Sequence, residues 1–232
     1  MRDWRSYWRN RETGDSADLA TELREVGKTV MGEPISEMQL NAIVSSLYEA
    51  LELDNKDEVV DLGCGNGLIT ARLAPTVCRI RGFDVSKSLV AAARARYSCA
   101  GVRFETADIC DLDFSTDVLR DVRKVYLYEV AQHLTTKEFE TLLTNAFHCG
   151  GVDRLFSGSM PDAARLEIFY NTPERIALYR RNLALKKEQI GHWWKISEIK
   201  GIAERLGLQM ELREQDPILH TAHYRFDVLF HG

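Results

Sequence analysis

The stretch Glu58-Val59-Val60-Asp61-Leu62-Gly63-Cys64-Gly65-Asn66-Gly67-Leu68-Ile69-Thr70 limits what this chain can fold into more than any other. Val59, Val60 and Leu62 form a short β-branched, apolar run, the composition of a strand buried on both faces of its sheet. Gly63, Gly65 and Gly67 permit positive φ and let a ligand lie against bare backbone. Amide groups at the start of the helix that follows would face that ligand. The spacing is Asp61-x-Gly63-x-Gly65-x-Gly67 rather than the G-x-G-x-x-G of a dinucleotide turn. A carboxylate just ahead of the turn repels a pyrophosphate and suits a cationic ligand.

The rest of the chain repeats the alternation of strand and helix. Ser36 starts a helix, with Gln39 three residues on as a capping box and Leu40, Ile43, Val44, Leu47 and Leu51 on one face. A second strand, Arg79 to Val85, ends in Asp84, which can accept both hydroxyls of a ribose. Ser86 caps the next helix, through about Tyr97. A third strand, Val102 to Ala107, delivers Asp108 and Ile109, a polar and an apolar partner for an adenine ring. A fourth, Lys124 to Tyr128, ends at Glu129 and is followed by His133. Thr135 and Glu138 form another capping box. Arg154 to Ser159 reads as a fifth strand. Gly63, Asp84, Asp108 and Glu129 thus stand at successive strand ends, where open α/β sheets bind ligands.

Two segments lie outside that alternation. Residues 1–35 carry Trp4, Tyr7 and Trp8 on one helix face, either docking on the main domain or covering a site as a lid. Lys28 sits in a glycine-bracketed loop, where it could meet a ligand carboxylate or stay solvated. Residues 161–191 form a helical, arginine-rich insertion, a place for a grafted substrate pocket, although a solvated helix face is the commoner origin of such a run. A helix follows with Ser197 at its start and Gly207 as its stop. Leu208, Met210 and Leu212, then Tyr224, Phe226 and Val228, read as a closing antiparallel pair.

From residue 36 to 232 the pattern resembles the class I S-adenosylmethionine-dependent methyltransferases, through Asp61-Leu62-Gly63-Cys64-Gly65-Asn66-Gly67, Asp84, Asp108-Ile109 and Glu129. The resemblance implies an α/β, Rossmann-like, doubly wound seven-stranded sheet with its last strand antiparallel, an N-terminal helical extension and an insertion after the fifth strand. S-adenosyl-L-methionine is the implied cofactor. Asp61 and the Gly63–Gly67 backbone, Gly65 included, would hold its methionine moiety, Asp84 its ribose, and Asp108 and Ile109 its adenine, with Cys64 and Val85 also at the cofactor and Glu129 near its amino group or the acceptor. Tyr224-Arg225-Phe226-Asp227-Val228-Leu229, with Trp193-Trp194 upstream, is similar to methyltransferases associated with bacterial surface-polysaccharide synthesis. The expected reaction is methyl transfer to a small molecule, such as a hydroxyl of a sugar or sugar-linked intermediate. His133 is the first candidate for a general base and His192 the second, with His220 and His223 behind them. The rivals are an inert cofactor-binding sensor or scaffold and a nicotinamide-dependent oxidoreductase, the latter disfavoured by the glycine spacing.

Composition narrows the partners. A net charge of −5 and the absence of a basic stripe argue against a nucleic-acid partner. No apolar run is long enough to insert in a membrane, and the N-terminus lacks a signal-peptide core. Five scattered cysteines without a CxxC pair fit free thiols in the cytoplasm rather than disulfides or zinc. No metal-ligand cluster stands out. A monomer or a homodimer are both compatible with the aromatic N-terminal face.

Overall fold

The computed structural model describes residues 2–14, 18–116, 119 and 121–232. The glycine-turn strand is β3 (Glu58–Leu62) in a seven-stranded sheet, after a two-stranded hairpin of β1 (Thr29–Val30) and β2 (Glu33–Pro34). The other strands are β4 (Arg79–Asp84), β5 (Val102–Thr106), β6 (Lys124–Tyr128), β7 (Arg154–Pro161), β8 (Gln209–Glu214) and β9 (Arg225–His231), ordered β5-β4-β3-β6-β7-β9-β8. Strands β3 to β7 run parallel, and β9 is antiparallel to both its neighbours, β7 and β8.

Alternation along β3 explains the two-layered core. Val60 and Leu62 join Val125, Leu127, Phe139, Trp194 and Ile199 on one face. Val59 joins Leu40, Leu47, Ile80, Phe104 and Tyr126 on the other. Helices α6 (Thr136–Thr144) and α9 (Ile196–Leu206) cover the first face, while α3 (Glu37–Leu51), α4 (Leu68–Leu73) and α5 (Lys87–Tyr97) cover the second. Each ligand-facing strand end is therefore held from both sides.

The helix starts follow local hydrogen bonding. Ser36 accepts from the Gln39 amide, but the Gln39 side chain donates to the Ile218 carbonyl, so only half of the expected capping box forms. The box at Thr135 and Glu138 is complete. Ser86 caps α5. Helix α9 begins at Ile196, with Lys195 ahead of it and no side-chain cap, so Ser197 lies inside the first turn. Gly207 ends it in the left-handed region, φ 65°.

Strand β9 is buried along almost its whole length, whereas β8 is the exposed edge. The expected polar alternation of β9 hides a buried Asp227. Its carboxylate accepts from the Ser159 amide at 2.7 Å and the Gln215 side chain at 2.9 Å. Those bonds secure a register shift between Ser157 and Met160, where Ser159 takes φ 60°. A shift of that kind re-aims side chains beside a site.

Residues ahead of Ser36 form α1 (Trp4–Arg9), α2 (Leu19–Glu25) and the hairpin. The insertion after β7 holds α7 (Leu166–Phe169) and α8 (Pro173–Ala184), and α8 buries none of its side chains. No helix among the described residues is long and apolar enough to cross a membrane.

Candidate cofactor cavity

The glycine turn opens into a cavity at the carboxyl ends of β3, β4 and β6. Asp61, Gly63, Cys64, Gly65, Asp84, Val85, Asp108, Ile109, Glu129 and His133 all border it, and His192 does not. Gly63, Gly65 and Gly67 take φ of 81°, 55° and 80°. A Cβ on Gly63 would stand 2.4 Å from Val130, and one on Gly65 would stand 2.8 Å from Val26, so both need glycine for room as well as for conformation. Cys64 packs where a side chain on Gly82 would otherwise sit, and burial raises its thiol well above the ordinary range, so it is an inert wall.

The carboxylates differ in how they are held. Asp61 is buried and accepts from Thr70 Oγ1 at 2.5 Å and Tyr126 Oη at 2.6 Å. Burial pushes its carboxyl up to about 7 despite those two donors. Asp84 accepts from the backbone amides of Gly65, at 2.9 Å, and Ser86, at 2.8 Å. It thereby ties the glycine turn to the end of β4, and burial raises its carboxyl too. Asp108 is engaged by α1: Arg5 Nε donates to it at 2.6 Å, and Arg9 lies 3.6 Å away. An adenine amino group at Asp108 would have to share that carboxylate with Arg5.

Glu129 caps the far wall in a left-handed conformation, φ 59°, unusual for a residue other than glycine. Lys28 Nζ donates to its carboxylate at 2.7 Å and lies 4.8 Å from the centre of the Tyr128 ring. Lys28 is 7% exposed, so this loop lysine is not solvated. Burial alone would raise Glu129, but Lys28 and Arg225 outweigh it and hold the carboxyl at about 2.

Helix α1 closes the cavity. Trp4 stacks on His133 with centroids 4.3 Å apart, and Trp8 approaches the same ring at 5.7 Å. Arg5 bridges Asp108 and Glu138, each at 2.6 Å. Beneath this cover, burial, helped by Arg225, pushes the His133 imidazole down to about 3. Packed against two indoles in this arrangement, the His133 ring is held neutral. His192 lies behind the wall, edge-on to Trp194 at 4.4 Å, with Nε2 3.4 Å from Glu198. His220 borders a separate small recess beyond the Lys28–Glu129 pair.

Several other wall residues carry no signal in the local sequence pattern. Asn66 is fully buried and donates to the Glu22 carbonyl at 2.9 Å and to Glu25 at 2.8 Å, binding the turn to α2. Arg5, Trp8 and Val26 come from segments whose pattern carries no strand-end signal. Only the aromatic spacing at Trp4, Tyr7 and Trp8 hinted at that cover.

Four carboxylates, a side-chain-free turn and the apolar surfaces of Val85, Leu89, Ile109 and Leu134 fit an adenosyl group joined to a cationic amino-acid tail. Known proteins agree. Residues 59–149 match a family model described as a methyltransferase domain. The chain is 17% identical to magnesium protoporphyrin IX methyltransferase from Synechocystis, solved with bound S-adenosylhomocysteine, at a TM-score of 0.61 covering 97% of this chain and 93% of that one. A second structure, the DhpI-SAM-HEP complex, aligns at 16% identity and a TM-score of 0.65 over 99% of this chain and 96% of that one. Among curated sequences, a 23S rRNA (uracil(1939)-C(5))-methyltransferase from Stenotrophomonas maltophilia is 29% identical over 157 residues, 61% of this chain. The chain spans 35% of that relative's length. Sheet, site and family model together define a nucleotide-binding α/β fold of the methyl-transferring kind. Residues 59–149 carry the methyltransferase domain, and the fold is the one shared with the S-adenosylmethionine-dependent methyltransferases above.

Proposed function

We propose that the chain transfers a methyl group from S-adenosylmethionine to a small-molecule acceptor, with a hydroxyl of a sugar or sugar-linked intermediate as the leading candidate. The observation that carries this reading is the convergence of Asp61, Asp84 and Glu129 with the Gly63–Gly65 backbone on one cavity. Bound there, the cofactor supplies an electrophilic sulfonium methyl and a neutral leaving group, so the protein's task is positioning and exclusion of water. Asp61 would hold the cationic tail, Asp84 the ribose and Ile109 a face of the adenine, with Val85 and Cys64 as walls. Glu129, kept anionic by Lys28, would face the amino group.

The acceptor would enter beside Glu129 and the aromatic wall of the insertion. Phe169, Trp193 and Tyr224 pack with centroids 4.5 to 5.9 Å apart, and flat rings of this kind suit the faces of a sugar. For a hydroxyl, His133 would need to shed Trp4 and Trp8 before it could accept a proton. His192 lies outside the cavity wall, and we assign it no proton role. The net charge of −5 supports a small acceptor over RNA.

Calorimetry with S-adenosylmethionine and with NAD tests the cofactor assignment, and tight NAD binding alone would restore the oxidoreductase reading. Incubation with methyl-labelled cofactor and small-molecule or RNA extracts tests the acceptor class. Cofactor binding without label transfer to any extract would favour the inert sensor.

A further inference from the structure

Helix α8, Pro173–Ala184, belongs to neither core cluster and buries none of its side chains. One side of it is held. Tyr179 stacks on Tyr170 with centroids 4.6 Å apart, and Arg175 donates to Asn171 at 2.9 Å beside the Phe169 ring. Leu178, Arg181 and Leu185 recur at intervals of three and four and so share another face, which is bare. Leu178 is 55% exposed and Leu185 53%, and Leu183 and Ile168 of α7 are exposed beside them. A single exposed leucine is ordinary, but several gathered between residues 168 and 185 make a patch.

Positive charge gathers in the same place. Residues 171–187 hold five basic residues and one acidic, Glu174, in a chain whose net charge is −5. Arg180, Arg181, Lys186 and Lys187 have no side-chain hydrogen bond or ion pair among the described residues, whereas Arg5, Arg96, Arg165 and Arg205 all have acidic partners. Bare leucines among unpaired cations are the composition of a helix lying in the headgroup layer of a bilayer, its apolar side chains below and its basic ones reaching phosphates. A second copy of the chain would set this positive charge against itself. A nucleic acid would take the cations and leave the leucines bare, since bases stack on aromatic rings, and Tyr170 and Tyr179 already stack on each other.

We infer that α8 is a docking surface for a membrane containing anionic phospholipid. Arg180, Arg181, Lys186 and Lys187 meet the headgroups, and Leu178 and Leu185 enter the interface. Tyr170, which holds α8, lies 6.0 Å from the Trp193 ring, so docking brings the aromatic wall of the insertion to the membrane surface.

The test is flotation of the full chain with vesicles of phosphatidylcholine alone or with about one part in three of phosphatidylglycerol. Recovery with the anionic vesicles is expected, at an apparent affinity about 100-fold above that for phosphatidylcholine and falling as salt rises. Each unpaired cation is worth about fivefold, so joint Arg180→Gln and Arg181→Gln should weaken vesicle binding by about 25-fold. Joint Leu178→Gln and Leu185→Gln should weaken it by about tenfold at any salt. These four side chains are exposed and border no cavity, so the melting transition should be unchanged in both variants. Equal recovery with the two kinds of vesicle, recovery with neither, or binding that survives the paired arginine substitutions overturns the proposal. A dimer in light scattering that the paired leucine substitutions dissociate would give this face to a second copy instead. Tighter binding to polyuridylate than to the anionic vesicles would give it to RNA, and either result overturns the membrane assignment.

Discussion

At the scale of single residues, the cavity is governed by how burial and neighbouring charge divide its ionisable groups. Asp61 is raised to about 7 when only Thr70 and Tyr126 contact it. A cationic ligand binds the ionised form, so below pH 7 binding must expel a proton. S-adenosylmethionine affinity should therefore fall as pH drops, approaching about tenfold per unit well below 7. Calorimetry in buffers of different ionisation enthalpy should register proton release near pH 6.5 and none near pH 8.5. Asp61→Asn should flatten that pH dependence and weaken binding by about 30-fold or more. The His133 imidazole is shifted the other way, downward, yet its pH dependence runs in the same direction. Its folded value, about 3, lies below the ordinary 6.5, so the packed state is favoured above 6.5 and loses ground as pH falls. Docking of α1 should weaken by up to about tenfold per unit below pH 6.5, read as rising acrylamide quenching of tryptophan fluorescence, and His133→Phe should abolish the trend.

At the scale of elements, the glycine turn and α1 clasp the site from opposite sides. Gly65 takes φ 55° with Val26 where its Cβ would lie, so Gly65→Ala should cost about 1–3 kcal/mol in chemical denaturation and weaken cofactor binding more than stability. Helix α1 is only six residues long, and its hold comes from Trp4 packing and the Arg5 bridges rather than from helical propensity. Removing residues 1–11 should accelerate cofactor release by about tenfold in stopped-flow measurements while the remaining fold keeps its melting transition, because so short an arm contributes little to the central core. An unchanged release rate would make α1 a passive docked segment.

At the scale of the whole molecule, β9 joins the parallel half of the sheet to its edge. It is buried on both faces between β7 and β8, and Phe226, Val228 and Phe230 feed the core under α6 and α9. Phe226→Ala should therefore cost about 3–5 kcal/mol by denaturant titration and reduce activity in proportion to folded protein.

Sequence alone determined the strands, their order of use and the strand-end carboxylates. Periodicity, β-branched runs and capping residues act over a few neighbours, and these signals are local. Asp61, Gly63, Asp84 and Glu129 were legible for that reason, since each sits where a strand must stop. What only the tertiary structure decided was the partner of each charged group. Lys28 and Glu129 are 101 positions apart, and Arg5 and Asp108 are 103 apart, so no local pattern could join them. The same distance hid the cover that Trp4 and Trp8 place on His133. Protonation and pairing depend on desolvation, a property of the packed molecule that a residue's immediate neighbours in the chain do not set.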